Sequence, residues 1–342
     1  MEHTKVVTMT KRVGIIGCGK ILPRHVEAIH DNQEYELVSI CDTNKDSLSQ
    51  ASKIFNATPF KDYKDMVKGS DINFVVIATP NSQHYQQAVF CLQNNCDVLI
   101  EKPATLNPFE IDKIVKVAKD NDREAYAVLQ VRLNSCIQNL KELIDKNVMG
   151  KIRGFGLIQR WQRPLEYFSD WRGIPEVGGG TLHECGIHYL DILCYLLGEP
   201  KVVSSKKYNT KHFGTEIEDT IYSTLDFGHF GGNIEVSISC EPKNLECSLS
   251  LITEKGYIKL GGKAMNTFEE VQFSTKSVQK KVENLIKQNS FVGTPNSYGA
   301  YAGSCPNHPE LYRNLQDFNL TQTKSVLYLI DQIYEKCNIK YY

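Results

Sequence analysis

With 342 residues the chain has room for about two domains, and its 41% hydrophobic content is ordinary for a globular protein that buries a sizeable core. Its 39 basic and 40 acidic residues leave a net charge of −1, which offers no electrostatic footprint for nucleic acid or an anionic membrane. No apolar run approaches the ~20 residues of a membrane span, Met1–Lys11 lacks the apolar core of a signal peptide, and the eleven cysteines are scattered, with no Cys-x-x-Cys pair. These features predict a soluble, cytoplasmic protein with reduced thiols and no zinc ribbon.

The first patterned stretch is Arg-Val-Gly-Ile-Ile-Gly-Cys-Gly at 12–19. Val13, Ile15 and Ile16 predict a short buried strand, and Gly17 and Gly19 open a turn into a helix over Lys20–His30. A strand feeding a helix through glycines lets backbone N–H groups approach a diphosphate at the helix N-terminus. Leu22 stands where a third glycine completes the G-x-G-x-x-G pattern, so the fingerprint is partial. The strand Tyr35–Cys41 ends at Asp42, a carboxylate able to accept from both adenosine ribose hydroxyls and to repel a 2′-phosphate; this favours NAD. The competing reading has Asp42 merely beginning a turn or capping the helix Lys45–Phe55, with Asn44 sharing that role.

Alternation continues through a short helix Tyr63–Lys68, a buried strand Ile72–Ala78 and a helix from Asn81, which can serve as its cap, to Asn94. Next come a strand Asp97–Ile100, a helix from the Asn107-Pro108-Phe109-Glu110 start to about Asp120, and a strand Ala125–Gln130. Strands alternating with helices imply right-handed crossovers and a parallel sheet, with ligands beyond its carboxyl edge. Gly17, Asp42, Thr79, Glu101, Lys102 and Gln130 all fall there, with Lys20, Ile21, Pro80, Asn81 and His84 adjoining them as cofactor-binding candidates. Lys102, between a strand end and Pro103, either enters the crevice to orient a substrate hydroxyl or pairs with Glu101 at the surface.

The composition changes after Gly150. Ile152–Trp161, Lys201–Tyr208, Ile217–Phe227, Asn233–Cys240, Leu245–Ile252 and Tyr257–Leu260 follow one another as strands, with hairpin turns at 228–232 and 254–256. This predicts an α/β protein: a Rossmann domain over 1–130, then a substrate-binding and oligomerisation domain over 131–342 with a large open, mainly antiparallel sheet. The tract 277–304 reads as an excursion or binding loop, and Val326–Cys337 as a final amphipathic helix that can pack back on the first domain.

The glycine run 178–180 opens a helix expected to continue to Leu197. Glu184, His188 and Asp191 share one face at i, i+4, i+7, placing a carboxylate one turn before an imidazole as an acid–base pair. His183 and His188 are five apart and diverge by about 140° around a helix, which argues against a shared metal; none is expected. Either His188 is catalytic or it is structural. Arg160, Trp161, Arg163, Tyr167, Phe168, Trp171 and Arg172 suit a sugar with an anionic group, and suit a domain interface equally well. Asn307-His308-Pro309-Glu310 either starts a helix or returns polar groups to the site.

These residues resemble the glucose–fructose oxidoreductase (Gfo/Idh/MocA) family: Gly17-x-Gly19 with His25, Ala78-Thr79-Pro80-Asn81 with His84, Glu101-Lys102-Pro103, and Gly178–Gly180 leading to Glu184-x-x-x-His188 and Asp191. The resemblance covers nearly the whole chain. Leu106–Phe109 with Ile111-Asp112, Leu129–Leu133 and Tyr167-Phe168-x-x-Trp171-Arg172-Gly173 are similar to the members that oxidise the 3-hydroxyl of UDP-N-acetylglucosaminuronate in bacterial surface-polysaccharide and O-antigen synthesis. The resemblance implies hydride transfer to NAD, Lys102, His188 and Glu184 as catalytic residues, and Arg160, Arg163, Tyr167, Trp171, Arg172, His188 and His308 around a UDP-sugar. It also implies a homo-oligomer (dimer or tetramer) and a downstream PLP-dependent aminotransferase. The family's Asp or Asn is replaced by Glu184 here. UDP-N-acetylglucosamine, a free polyol, and a catalytically silent NAD-binding regulator are the alternatives.

Overall fold

The computed structural model describes residues 10–262, 264–288 and 307–337. The first half alternates as expected: β1 Lys11–Ile16, α1 Leu22–His30, β2 Tyr35–Cys41, α2 Lys45–Phe55, β3 Thr58–Phe60, α3 Tyr63–Gly69, β4 Phe74–Ile77, α4 His84–Gln93, β5 Asp97–Ile100, α5 Pro108–Asp120 and β6 Ala125–Ala127. The six strands form one sheet in the order β3-β2-β1-β4-β5-β6, parallel throughout. The reversal of order at β1 and β4 places a crevice beyond their carboxyl ends. Local chemistry sets the helix starts. Asn44 Oδ1 accepts from Asp46 N and Ser47 N at 3.0 Å each, and Asn107 Oδ1 accepts from Phe109 N at 2.9 Å with Pro108 at the first helical position.

The second half follows as α6 Ser135–Asp145, β7 Ile152–Arg160, a short α7 Pro175–Gly178, α8 Ile187–Leu197, β8 Lys201–Tyr208, β9 Thr220–Asp226, β10 Gly231–Ser237, β11 Glu246–Thr253, β12 Gly256–Gly261, β13 Thr267–Phe273, α9 Lys276–Gln288, α10 His308–Arg313, α11 Leu320–Thr323 and α12 Ser325–Cys337. Seven strands make the second sheet, in the order β13-β12-β11-β7-β10-β9-β8. Five of its pairings are antiparallel, and β7–β10 is parallel. Period-two burial along β7 puts Phe155, Leu157 and Gln159 under the covering helices and leaves the alternate residues on the open face. Tyr208, Tyr222, Ile252 and Tyr257 are exposed on this sheet.

Several expectations are corrected. The helix opened by the glycine run is not continuous: one π turn, Leu182–Gly186, precedes α8. The last parallel strand stops at Ala127, and Gln130 begins a 3-10 turn, Gln130–Leu133. Two strands, β3 and β13, add to the expected set; β3 is a three-residue edge strand containing Pro59, a residue that weakens a strand signature. Within the expected excursion 277–304, α9 is helical and buries Val282; 289–304 lie outside the described residues. The last helix, α12, packs mainly on β8 and α8 but does return to the first domain, where Tyr328 OH donates to Asp112 Oδ2 and its ring meets that of Phe109 in α5; α10 against α1 and α11 beside β6 make the rest of the return. The ten described cysteines are free thiols, and no helix among the described residues is long and apolar enough to cross a membrane.

Candidate active site

The crevice wall on the first domain is built from strand ends. Gly17 follows β1 with φ +108°, and a Cβ there would lie 2.3 Å from the Ala78 carbonyl oxygen, so only glycine lets the two strand ends approach this closely. Gly19 has nothing within 4 Å of an added Cβ, which keeps the outer side of the turn open. Lys20 is exposed, Ile21 is half-buried, and α1 starts with no side-chain cap on its N–H groups. Asp42 Oδ2 accepts from Cys18 N and Oδ1 from Asn44 N, both at 2.7 Å. Asn44 takes the capping role of the competing reading, and Asp42 both makes the turn into α2 through Asn44 N and ties the glycine turn to the end of β2. Each of its oxygens retains a lone pair for a ribose hydroxyl. These residues fit the pyrophosphate and adenosine ribose of NAD.

Thr79 and Pro80 follow β4, and Thr79 Oγ1 donates to Gln87 Oε1 at 2.7 Å. His84 is buried with Nδ1 at 2.8 Å from the Pro103 carbonyl and Nε2 at 2.9 Å from that of Thr79. Both nitrogens are spent on backbone, so His84 clamps two crevice loops instead of meeting a cofactor; burial lowers its pKa. Asn81 does not cap α4 as expected. Its Nδ2 donates across to the second domain, to Gly178 O at 2.9 Å and Glu184 Oε1 at 2.8 Å.

Glu101 also turns from its expected place. Its Oε1 lies 3.0 Å from His25 Nε2 and 3.7 Å from His308 Nε2, while Oε2 accepts from Lys102 N at 3.1 Å. Burial opposes its charge, but the two imidazoles outweigh that and hold the carboxyl well below the usual range. His25 Nδ1 meets Tyr312 OH at 2.9 Å. His25, Glu101 and His308 are the grouping among the described residues whose metal-ligand-type atoms all lie within 4.8 Å; the hydrogen bonds just given already occupy the Glu101 carboxylate and both His25 nitrogens. Of the expected partners, His308 thus reaches the crevice floor from α10. Asn307 donates to Gln130 O at 3.3 Å and Asn134 Oδ1 at 2.9 Å instead of capping α10.

Lys102, at a cis peptide with Pro103, points into the crevice. Its Nζ donates to the Glu184 carbonyl at 2.9 Å and lies 3.9 Å from Glu184 Oε2, so the side chain is directed across the crevice to the second domain. Glu184 belongs to the π turn, a widened backbone common at functional sites. Around its Oε2 stand Tyr167 OH and Arg172 Nε, each at 3.5 Å. One turn on, His188 Nδ1 is buried with no hydrogen-bond partner among the described residues. Burial, then the Lys102 charge, lowers His188 to about 3, so its imidazole is neutral near pH 7.

Asp191 does not join this pair. It accepts from Arg132 Nε at 2.7 Å in a bidentate buried ion pair, anchoring α8 to the segment that crosses between the sheets. His183 turns the other way, as its spacing predicts, with Nδ1 2.8 Å from Gly179 O and its ring stacked 5.7 Å from Tyr334; burial lowers it to about 4. Gly180 has φ +103°, and a Cβ would lie 2.5 Å from Tyr334 OH.

The aromatic–basic cluster divides. Arg160 points to the open sheet face, where Glu235 takes its Nε at 2.6 Å and its Nη2 at 2.7 Å, and it is removed from the expected substrate contacts. Arg172 lies 4.4 Å from the Trp171 ring and pairs with Asp170. Arg163 lies 4.7 Å from the Trp161 ring and 5.4 Å from that of Tyr167. The interdomain role of Asn81 and the His25–Tyr312 support of Glu101 carry no local sequence signal, because their partners are distant in the chain.

Residues 11–129 match the oxidoreductase family with an NAD-binding Rossmann fold, and residues 137–259 match the GFO/IDH/MocA C-terminal domain. The crystal structure of the WlbA dehydrogenase from Bordetella pertussis in complex with NADH and UDP-GlcNAcA is 28% identical, covers 96% of both chains and superimposes with a TM-score of 0.85. The Chromobacterium violaceum WlbA complex with the same two ligands is 25% identical with a TM-score of 0.86, covering 97% of this chain and 95% of that one. In sequence, the D-glucoside 3-dehydrogenase of Escherichia coli K12 is 26% identical over 65% of this chain and 68% of its own length.

Proposed function

The chain belongs to the Gfo/Idh/MocA family of oxidoreductases, whose NAD-binding Rossmann domain it carries, and from that premise we propose that it oxidises the 3-hydroxyl of a UDP-linked 2-acetamido sugar, UDP-N-acetylglucosaminuronate in the first place, to the 3-keto sugar. One observation carries the reading: Lys102 from a Rossmann strand end meets the Glu184 carbonyl one turn before His188, whose Nδ1 is buried and without a partner among the described residues. A half-buried imidazole facing a crevice beside an ammonium group is a proton acceptor awaiting a donor.

The bound nicotinamide supplies the hydride acceptor. The protein's own part is to hold the carbinol and handle its proton. Neutral His188 accepts the 3-hydroxyl proton, and Lys102 stabilises the negative charge that develops on that oxygen. Glu184 fixes the Lys102 ammonium through its carbonyl, and Asn81 ties Glu184 to the loop after β4, so both domains bear on one reacting centre. Tyr167, Trp171 and Arg172 line the sugar side, and His308 supports the crevice floor. Asp42 sets the preference for NAD. The exposed aromatic residues of the open sheet face make that face the contact for a dimer or tetramer, which light scattering will report. A 3-keto sugar nucleotide is a substrate for a PLP-dependent aminotransferase, the expected next enzyme in surface-polysaccharide synthesis in the cytoplasm.

The test is a panel of UDP-GlcNAcA, UDP-GlcNAc, free glucosides and inositols with NAD⁺, read at 340 nm and by mass of the keto product. Turnover of the uronate above the others supports the assignment. Preference for a glucoside moves the substrate toward that of the E. coli relative, and ligand binding without turnover of any member replaces the enzyme with a regulator.

A further inference from the structure

Three arginines bracket the aromatic cluster, and their side chains meet different fates. β7 continues extended past Arg160, so residues of odd number face α8 and residues of even number face away. Gln159 Nε2 donates to Cys185 O at 3.1 Å, and the Trp161 ring lies 5.6 Å from Tyr189 of α8. Arg163 stacks on Trp161 and falls on that side, whereas Arg160 falls on the open face and is neutralised by Glu235 and Glu246. Arg172 is neutralised by Asp170 and Glu184.

Arg163 meets no carboxylate within 4.0 Å among the described residues; Nη1 donates to the Gln162 carbonyl at 2.8 Å. The Trp161 and Tyr167 rings lie beside the guanidinium, which also hydrogen-bonds Tyr167 and Cys185. Tyr167 OH in turn lies 3.5 Å from Glu184 Oε2 and 3.7 Å from Cys185 Sγ, so only the Tyr167–Glu184 contact separates Arg163 from Lys102. A part-buried cation on a crevice wall, oriented by two rings and left without a counter-charge, is built for an anionic ligand group.

We propose that Arg163 recognises the carboxylate at C6 of a uronate sugar held with its 3-hydroxyl at Lys102 and His188. This rests on the sugar-nucleotide reading above. The 3-hydroxyl and C6 flank C4 along one edge of the pyranose ring, matching a wall on which Tyr167 and Glu184 stand between Arg163 and Lys102. A diphosphate offers similar anionic oxygens; with Gln162, Tyr167 and Cys185 already taking part of its hydrogen-bonding capacity, the guanidinium keeps N–H groups suited to a small planar carboxylate.

Wild type, Arg163→Lys and Arg163→Met, each checked for an unchanged melting temperature, are compared on UDP-GlcNAcA and UDP-GlcNAc with NAD⁺, by kcat/KM and by calorimetric binding of both sugars. Methionine keeps the packing stem and removes the charge. The expected result is a fall of about 100-fold in the ratio of uronate to neutral-sugar kcat/KM for Arg163→Met, carried mainly by KM, with partial recovery in Arg163→Lys. An equal loss on both sugars assigns Arg163 to the diphosphate or to packing and overturns the proposal, as does an unchanged ratio. If wild type binds UDP-GlcNAcA without oxidising it, the catalytic reading fails while the binding ratio still decides Arg163; if it binds neither sugar, both fall.

Discussion

The two walls of the crevice are made in different ways. On the Rossmann side every polar residue follows the end of a parallel strand, so the alternation of β and α delivers Gly17, Asp42, Thr79, Glu101 and Lys102 to one edge whatever the rest of the chain does. On the other side, a π turn and one helix are held from outside. Asp191 is gripped by Arg132, Glu218 accepts from Thr181 N at 2.9 Å and Tyr334 OH at 2.7 Å, and Gln159 holds the Cys185 carbonyl. The first wall is a product of topology and the second of tertiary contacts. Substitutions on the first wall are therefore expected to remove chemistry with little loss of stability, and those behind the second to cost stability as well.

The largest expected effect tests the meeting of the walls. Lys102→Met and His188→Ala each lower kcat by about 10²–10⁴-fold while NAD⁺ affinity, measured by fluorescence titration, stays near wild type. A wild-type rate in either variant removes that residue from the reaction.

Next comes the anchor of the second wall. Asp191→Ala leaves Arg132 buried and unpaired, and destabilises the protein by about 3–5 kcal/mol in urea unfolding. Replacing both by apolar residues of similar volume recovers most of it. If Asp191→Ala melts like wild type, the ion pair does not hold α8.

Acid sharpens the contrast further. His183 and His188, on the second wall, are lowered by burial to about 4 and about 3 from an ordinary 6.5. Below pH 6.5 the unfolded chain binds protons that these imidazoles refuse in the fold. Stability is therefore full above pH 6.5 and falls as pH drops toward their folded values, by about 2 kcal/mol for each imidazole at pH 5. Thermal melts at pH 7.5 and pH 5 in wild type and His183→Gln read this directly: the variant, lacking one such imidazole, loses less on acidification.

The smallest effect comes from the face neither wall uses. Arg160→Ala breaks a half-exposed pairing with Glu235 and Glu246, changes stability by about 1 kcal/mol or less, and leaves kcat/KM unaltered. A large fall in kcat/KM would return Arg160 to the substrate site.

The amino-acid sequence by itself determined the Rossmann half, because apolar strand runs, Asn caps and the glycine turn are local signals whose consequences are local. It also determined that Asp42 and Lys102 stand at strand ends, since the strand-to-helix transition marks them directly. Only the tertiary structure decided which way the remaining side chains turn. Glu184, His188 and Asp191 share a face in a helical repeat, but the π turn and the Arg132 pairing send Asp191 elsewhere. Arg160 and Arg163 are alike in composition but stand three residues apart, an odd spacing that puts them on opposite faces of an extended chain, and which face is covered is set by α8 lying on one side of the sheet. Asn81 reads as a cap until a second domain offers it Gly178 and Glu184. Such choices depend on partners far away in the chain, 59 residues between Arg132 and Asp191 and 103 between Asn81 and Glu184, and no local pattern encodes them.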